Sequence, residues 1–263
     1  MSTTTDAPGR STWSAREMRG LVRAEFRKTF ATSAWWWLAV LGMVIAALQE
    51  LTAVREEYVA FSMSRSLDWA YLSALLFGIY LATTEYRRNT IVGSYLGVSG
   101  RSKLVVAKVL CAIVVGAGYA VLSAGVAVAA VPVVGIEYGD EWPWILLVSG
   151  AGLVLFALVA GVGVGLGTLI RNQLGAVLVA VFYLLLFAVA PSLLLLEKGW
   201  GRAVVYLPDA AATSFLRSMT GGDQFNGTFG VAPAWWTVLL VLCGYTVLFV
   251  LLGIVAARRR DIT

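Results

Sequence analysis

The stretch WILLVSGAGLVLFALVAGVGVGLGTLI, residues 144–170, decides the fold class of this chain. It runs for 27 residues without a charged side chain, and about 20 mostly apolar residues in a helix are enough to cross the core of a bilayer. In lipid, every backbone polar group needs a partner, and a helix supplies those partners within one segment. The stretch therefore predicts a transmembrane helix.

Five further apolar stretches lie on either side of it. They run over 34–48, 67–84, 104–134, 174–196 and 235–257. The composition agrees, because 59% of the residues are hydrophobic and only 13% are charged, far from the balance of a soluble domain. The sequence predicts an all-α membrane protein with six transmembrane helices.

The distribution of charge predicts how these helices are oriented. With the N-terminus inside, 15 of the 20 lysines and arginines fall in inner segments, and ten of the 15 acidic residues fall in outer ones. Because cytoplasmic loops carry the excess of Lys and Arg, we expect a multi-pass protein of the cytoplasmic membrane with both termini inside. The net charge of +5 is then a topology signal and does not indicate nucleic-acid binding.

The predicted spans divide the chain into three parts. These are a cytoplasmic arm over 1–33, a transmembrane domain over 34–257 and a cytoplasmic tail over 258–263. Two connections inside the transmembrane domain are distinctive, a basic inner loop over 85–108 and a long outer segment over 197–234. The outer segment is too short and too polar to cross twice, and we expect it to fold back against the bundle.

Missing residue types limit the chemistry. The chain has no histidine and no GxxxxGK[ST] phosphate loop, which removes most zinc sites, the Ser-His-Asp triad and an ATPase site of its own. We therefore expect no enzyme activity, no metal and no cofactor in this chain. Ionisable residues in the spans are scarce, with Glu50, Glu85 and Arg171 at span ends, and this argues against a self-powered carrier.

The inner loop combines basic and apolar residues. It reads EYRRNTI over 85–91 and VGSYLGVSGRSK over 92–103. A solvated basic loop explains the arginines but not the apolar residues between them. A docking surface for a cytoplasmic partner explains both.

In these residues the chain resembles the membrane subunits of type-2 ATP-binding-cassette (ABC) exporters, particularly bacterial permeases of about this length. EYRRNTI is similar to the family's Glu-Tyr/Phe-Arg-x-x-Thr-Ile. Further similar pieces are RSK at 101–103, GTLIRN at 167–172, YLP at 206–208 and RRDI at 259–262. The resemblance in organisation covers nearly the whole chain.

The resemblance implies that the inner loop forms a coupling helix on a cytoplasmic ATPase subunit. The residues that would contact this partner are Glu85, Arg87, Arg88, Asn89, Thr90, Ile91 and Arg101. It also implies two copies of a separate ATPase, which bind ATP and Mg²⁺, and a second permease subunit that is either identical or different.

The arm before the first span has one apolar helical face. Met18, Val22 and Phe26 recur every four residues, and Arg23 and Arg27 lie on a neighbouring face. This pattern predicts an amphipathic helix on the inner leaflet, with its arginines at anionic headgroups. The resemblance implies instead a connecting helix that also touches the ATPase, and the sequence favours neither.

Small residues recur in the fourth span. Four of its glycines give two overlapping GxxxG spacings, and they are Gly161, Gly163, Gly165 and Gly167. Such residues let helix backbones approach closely in lipid. They indicate either a dimer interface or packing within one subunit, and we favour the latter.

The expected function is that of a permease subunit of an ABC exporter. Because the spans carry few charges, we expect a lipophilic or amphipathic substrate such as a drug, an antibiotic or a lipid-like molecule. Two alternatives stay open, a membrane scaffold or immunity protein that transports nothing, and a carrier that works without an ATPase.

Overall fold

The computed structural model describes residues 15–52, 58–87, 100–135, 137–184, 189–220 and 234–259. Within these ranges the chain is helical and contains no strand. The helices are α1 (Ala15–Phe30), α2 (Ala34–Leu51), α3 (Val59–Ala70), α4 (Leu72–Arg87), α5 (Arg101–Ala130), α6 (Trp142–Ile170), α7 (Gln173–Phe182), α8 (Val189–Glu197), α9 (Gly201–Val204), α10 (Pro208–Arg217) and α11 (Trp235–Arg259).

In the part of the chain that the structure describes, five helical segments are long and apolar enough to cross a membrane, which indicates a multi-pass membrane protein. They are Ala34–Leu51, Val59–Arg87, Ser102–Val134, Trp142–Ile170 and Trp235–Arg259. The remaining predicted span, 174–196, is not one long helix in the described residues. It corresponds to α7, of ten residues, and α8, of nine, and residues 185–188 between them lie outside the described ranges.

The second span begins earlier than its predicted start at residue 67. Helix α3 begins at Val59 and continues into α4 after Tyr71. The residues before 67 are too polar to suggest a span, but Ser62, Ser64 and Ser66 are buried. The Ser62 hydroxyl donates to the Glu50 carboxylate of α2, and the Ser64 hydroxyl donates to a backbone oxygen of its own helix, that of Phe61. Partners supplied within the chain therefore permit polar residues in this segment.

Helix α6 is the central helix of the bundle and packs against α4, α5 and α11. Contacts advance together along α4 and α6, from Gly78 beside Gly163 to Ala82 beside Gly167. These two helices therefore run parallel.

Two other neighbours of α6 have opposite directions. Contacts also advance together along α6 and α11, from Gly161 beside Thr246 to Gly165 beside Gly253, so α11 runs parallel to α6. Helix α5 is antiparallel, because Gly116 lies beside Phe156, whereas the earlier Val109 lies beside the later Gly161.

The C-terminal ends of α4, α6 and α11 meet at one end of the bundle. The Arg171 guanidinium, just after α6, lies 5.5 Å from the centre of the Tyr86 ring and donates to the Ala256 carbonyl oxygen at 3.2 Å. Helix α1 packs on the first turns of α5 at this same end. We call it the α1 end and the opposite one the far end.

Candidate functional site

Helix α1 lies against the bundle through one face. Glu25 and Thr29 on this face are buried, and Met18, Val22 and Phe26 are half-buried. The Thr29 hydroxyl lies 3.8 Å from the Cys111 sulfur of α5. The apolar face predicted from the sequence is therefore directed at least partly toward protein rather than lipid alone.

Four charged side chains form an ionic cluster where α1, α4 and α5 meet. The cluster consists of Glu25 and Lys28 of α1, Glu85 of α4 and Lys108 of α5. Lys28 Nζ lies 2.8 Å from Glu25 Oε1 and 2.6 Å from Glu85 Oε1, while Lys108 Nζ lies 2.8 Å from Glu25 Oε2 and 3.4 Å from Glu85 Oε2. Each carboxylate thus contacts both ammonium groups.

The surroundings make this cluster more than a surface ion pair. The Glu25, Glu85 and Lys108 side chains are at most 8% exposed, and only Lys28 reaches solvent, at 48%. Lys108 Nζ also donates to the Leu81 carbonyl oxygen at 3.2 Å. Burial lowers the pKa of Lys28, but hydrogen bonds to Glu25 and Glu85 outweigh that effect and raise it above its ordinary value. The cluster pairs two acidic with two basic side chains.

A second ion pair lies next to the cluster. Lys103 Nζ, in the first turn of α5, lies 2.8 Å from Glu17 Oε2 of α1, and the Lys103 side chain is only 4% exposed. Glu85 precedes the inner segment 88–99 and Lys103 follows it. Both ends of that segment are therefore attached to α1 through buried charges.

The predicted coupling residues fall into three groups. Glu85 is buried in the ionic cluster, whereas Arg87, the last residue of α4, is exposed. Arg101 is the first residue of α5, and its side chain is outside what the structure describes. The other four lie outside the described residues, and they are Arg88, Asn89, Thr90 and Ile91.

The predicted membrane-surface helix carries its arginines on the outside. Arg16, Arg19, Arg23 and Arg27 are all exposed, on the side of α1 that does not pack on α5. This exposed basic face is available to headgroups or to a protein.

The four glycines predicted to pack, Gly161, Gly163, Gly165 and Gly167 of α6, all lie at contacts within the chain. A Cβ atom on Gly163 would meet the Leu75 carbonyl oxygen, and one on Gly167 would lie 2.9 Å from Ala82 Cβ, both in α4. One on Gly161 would lie 2.9 Å from Thr246 Cγ2, and one on Gly165 would lie 2.5 Å from the backbone of Phe249, both in α11. Two of these glycines thus allow α4 to approach closely, and the other two allow α11 to do so.

Sequence reasoning missed the partners of Glu85. A signal for them exists, because Glu25 and Thr29 follow Met18 and Val22 at the spacing of one helical face. An acidic residue on an apolar helix face needs a cation, and Lys108 lies inside an apolar stretch. The sequence alone does not tell that these two residues meet.

A crevice of about 700 Å³ opens at the α1 end between α2, α4 and α7. Its lining includes Thr32, Tyr80, Arg87 and Gln173 among apolar residues. The predicted coupling residue Arg87 therefore borders both the inner segment and this crevice.

A second polar group lies in the half of the bundle toward the far end. The Thr213 hydroxyl of α10 is 2.9 Å from both carboxylate oxygens of Asp68, and the Tyr71 hydroxyl donates to Asp209 Oδ1 at 2.8 Å. Burial raises the pKa of the Asp209 carboxyl, although the hydrogen bond from Tyr71 opposes this. The sequence predicted few ionisable groups in the spans, and Asp68 was overlooked.

Glu50 adds a further carboxylate near the far end. It lies at the end of α2, is only 1% exposed and accepts from Ser62. Among the described residues, no three His, Cys, Asp or Glu side chains are grouped so as to hold a metal ion.

Comparison with models of protein families finds no match to this chain, and comparison with curated proteins finds none either.

Proposed function

We propose that this chain is the permease subunit of an ABC exporter in the cytoplasmic membrane. Two copies of a separate ATPase would bind ATP and Mg²⁺ on its inner face, and a second permease subunit would complete the transporter. The substrate is a lipophilic or amphipathic molecule. The observation that carries the proposal is the attachment of both ends of the inner segment to α1 through buried charges.

This attachment suits the transmission of force from a partner. An ATPase that moves the segment 88–99 pulls directly on Glu85 and Lys103, at the ends of α4 and α5. Because the ionic cluster joins these ends to α1, the three helices move as a unit rather than through a loose loop. Helix α4 packs on α6 backbone to backbone at Gly78 and Gly163, so its displacement reaches the centre of the bundle.

The directions of the helices support six crossings with both termini inside. Helices α6 and α11 run parallel and are consecutive long spans, so residues 171–234 must return the chain from the α1 end to the far end. We infer that α7 and α8 make this return, as the fifth crossing in chain order, which brings the number of crossings to six. Basic residues at the α1 end and exposed Trp142 and Trp235 at the far end are typical of an inner face and an outer interface.

Co-purification with the products of neighbouring genes tests the proposal. The tagged full-length chain is extracted in mild detergent, and the bound proteins are assayed for ATPase activity. We expect an ATPase to be retained, and to be lost when Arg87, Arg88 and Arg101 are changed to Glu. The control is Lys198→Glu, a single charge reversal at an exposed residue after α8. A chain that purifies alone, or that keeps its ATPase after the triple reversal, contradicts the coupling assignment.

A second readout separates transport from scaffolding. If an ATPase binds, its phosphate-loop lysine is replaced so that the complex assembles without hydrolysis. Loss of the cellular resistance or export phenotype supports a transporter. A phenotype that survives without hydrolysis favours the scaffold or immunity protein instead.

A carrier without an ATPase is the second candidate, and the buried Glu50 together with Asp68 favours it. Carboxylates inside the membrane are costly and often mark ion pathways. Proteoliposomes that contain this chain alone, with a proton or sodium gradient imposed, test this possibility. Substrate accumulation driven by the gradient, and abolished in Glu50→Gln, would establish the carrier.

A further inference from the structure

The crevice between α2, α4 and α7 changes from polar to apolar with depth. Arg87 and Gln173 line it at the α1 end, and Tyr80 and then Leu76 follow on α4, successively farther from that end. At a rise of about 1.5 Å per residue, Leu76 lies about 16 Å from Arg87 along the helix axis. The headgroup region adds about 5–8 Å on each side of the hydrocarbon core of a bilayer. A crevice of this depth therefore reaches from the level of the headgroups into that of the acyl chains.

The deeper walls of the crevice are apolar and lie next to lipid-facing surfaces. Leu38 of α2 and Val177 of α7 line it, each about one turn after the start of its helix. On the outer surfaces of the same two helices Leu41 and Leu178 are exposed. Exposed apolar surface of this kind is typical of contact with a membrane or a protein. The crevice thus has apolar, outward-facing surfaces on both sides.

The polar part of the crevice carries a positive charge and hydrogen-bond donors. Among the described residues that line it, none is acidic, and Arg87 carries the only charge. The Tyr80 hydroxyl lies 3.4 Å from the Thr32 hydroxyl, a long contact, and Thr32 itself donates to the Thr29 carbonyl oxygen at 2.9 Å. Because the Tyr80 proton is held only weakly, this hydroxyl is available as a donor to a ligand.

Charge complementarity favours a lipid over a second copy of the chain as the occupant. The described acidic residues at the α1 end are Glu17, Glu25 and Glu85, and each forms an ion pair with a lysine of its own chain. Among the described residues, a second copy would therefore have to break one of these pairs to bring a carboxylate to Arg87. An anionic phospholipid brings its own phosphate, which arginine binds well, together with chains for the apolar walls.

We propose that this crevice binds an anionic phospholipid of the leaflet at the α1 end, the inner leaflet in the proposed orientation. Arg87 binds the phosphate, and the Tyr80 hydroxyl donates to an ester oxygen of the glycerol. One acyl chain lies between Leu38, Leu76 and Val177. The volume of about 700 Å³ is within the range of about 300–1,000 Å³ that is usual for small-molecule sites.

Two lipids with the same acyl chains isolate the contribution of the headgroup. The delipidated full-length chain in detergent is titrated with palmitoyl-oleoyl phosphatidylglycerol or with the corresponding phosphatidylcholine, and native mass spectrometry counts the bound lipids. We expect the first phosphatidylglycerol to bind about fivefold more tightly, the factor that corresponds to about 1 kcal/mol for one basic residue near an anionic lipid. Free glycerol 3-phosphate at millimolar concentration should not displace it. Displacement would show a phosphate site without a lipid site and would contradict the proposal.

Variants separate the headgroup site from the chain site. Arg87→Gln should reduce the affinity for phosphatidylglycerol to that for phosphatidylcholine. The matched control is Arg259→Gln, since Arg259 is also the exposed last residue of a helix at the α1 end, and it should keep the preference. Val177→Phe narrows the apolar part and should weaken both lipids at least tenfold. Val247→Phe, the same change at an exposed position of α11, should weaken neither.

The outcomes decide for or against the proposal. Equal affinity for the two lipids, or a retained preference in Arg87→Gln, overturns it. A dimer that excludes phosphatidylglycerol also overturns it, because a second copy then occupies the crevice.

Tyr80→Phe supplies a second test if size-exclusion profiles and thermal unfolding show that Arg87→Gln is not folded. It should weaken both lipids by about twofold to tenfold, because both have the ester oxygen that accepts from Tyr80, and unchanged binding contradicts the proposal. No ATPase takes part in these assays. A failure here therefore leaves the co-purification result intact, and a failure there leaves the lipid-binding result intact.

Discussion

Lys108 is the residue whose replacement tests the ionic cluster most directly. Its ammonium contacts Glu25 and Glu85 and is buried with them. Removing one member of a buried ionic group leaves an uncompensated charge, which typically costs about 3–5 kcal/mol. We therefore expect Lys108→Met to lower the free energy of unfolding by about that amount, measured by thermal or denaturant unfolding in detergent.

The control for this variant is Arg23→Met, which removes a cation from an exposed position of α1. It should change the free energy of unfolding by no more than about 0.5 kcal/mol. Adding Glu25→Gln to the Lys108→Met variant should lower the free energy of unfolding by less than Glu25→Gln lowers it in the unaltered chain, because the two residues interact. Similar unfolding midpoints for Lys108→Met and Arg23→Met would contradict the structural cluster.

We expect Asp209 to make the stability of the folded chain depend on pH. Burial raises the pKa of its carboxyl in the folded chain above the ordinary value of 3.8. The folded state therefore favours the protonated form, and the resulting stabilisation is complete below the unfolded pKa and lost as the pH rises through the folded pKa. As the pH rises from about 4 to that raised pKa, the unaltered chain should therefore lose stability relative to Asp209→Asn.

Unfolding midpoints of the two proteins at a series of pH values measure this difference. The comparison cancels the titration of other groups, apart from those that Asp209 influences directly, such as Asp68 and Tyr71. A constant difference across the pH series would show that the Asp209 carboxyl is not shifted by burial.

At the scale of helices, the glycines of α6 determine how closely its neighbours approach. A methyl group on Gly163 collides with the Leu75 carbonyl oxygen, and this contact is backbone, which cannot rotate away. Gly163→Ala should therefore separate α4 from α6 and lower the free energy of unfolding by about 1–3 kcal/mol. Thermal unfolding in detergent measures the change.

Gly150→Ala provides the matched control in the same helix. A Cβ atom at Gly150 meets nothing within 4 Å, so this variant should be neutral or slightly stabilising. If both variants unfold alike, the α4–α6 contact is not as close as the structure has it.

Prediction of individual helices depends on how uniform their residues are. The stretches 144–170 and 235–257 contain no charge, and they agree with α6 and α11 to within about two residues, the usual uncertainty of helix ends. The polar start of α3 was missed, because Ser62 and Asp68 find partners on α2 and α10 that are distant in sequence. Apolar periodicity does not report such partners.

At the scale of the whole molecule, reporter fusions test the number of crossings. If both termini lie in the cytoplasm, as proposed, green fluorescent protein fused after Thr263 should fluoresce and alkaline phosphatase at the same point should be inactive. A phosphatase inserted between α5 and α6, at residues 137–140, should be active. Phosphatase activity at the C-terminus would mean that α7 and α8 do not complete a crossing.

The prediction of a helical membrane protein needed only the sequence, because the length and apolarity of a segment are local properties, and bilayer thickness sets the length that a span requires. The sequence also indicated the inner loop as a place to look. The contacts among Glu25, Lys28, Glu85 and Lys108 are seen only in the folded chain, as is the close approach of α4 and α11 to the glycines of α6. Such meetings join residues up to about 90 positions apart, and they depend on which helices become neighbours rather than on any pattern within one helix.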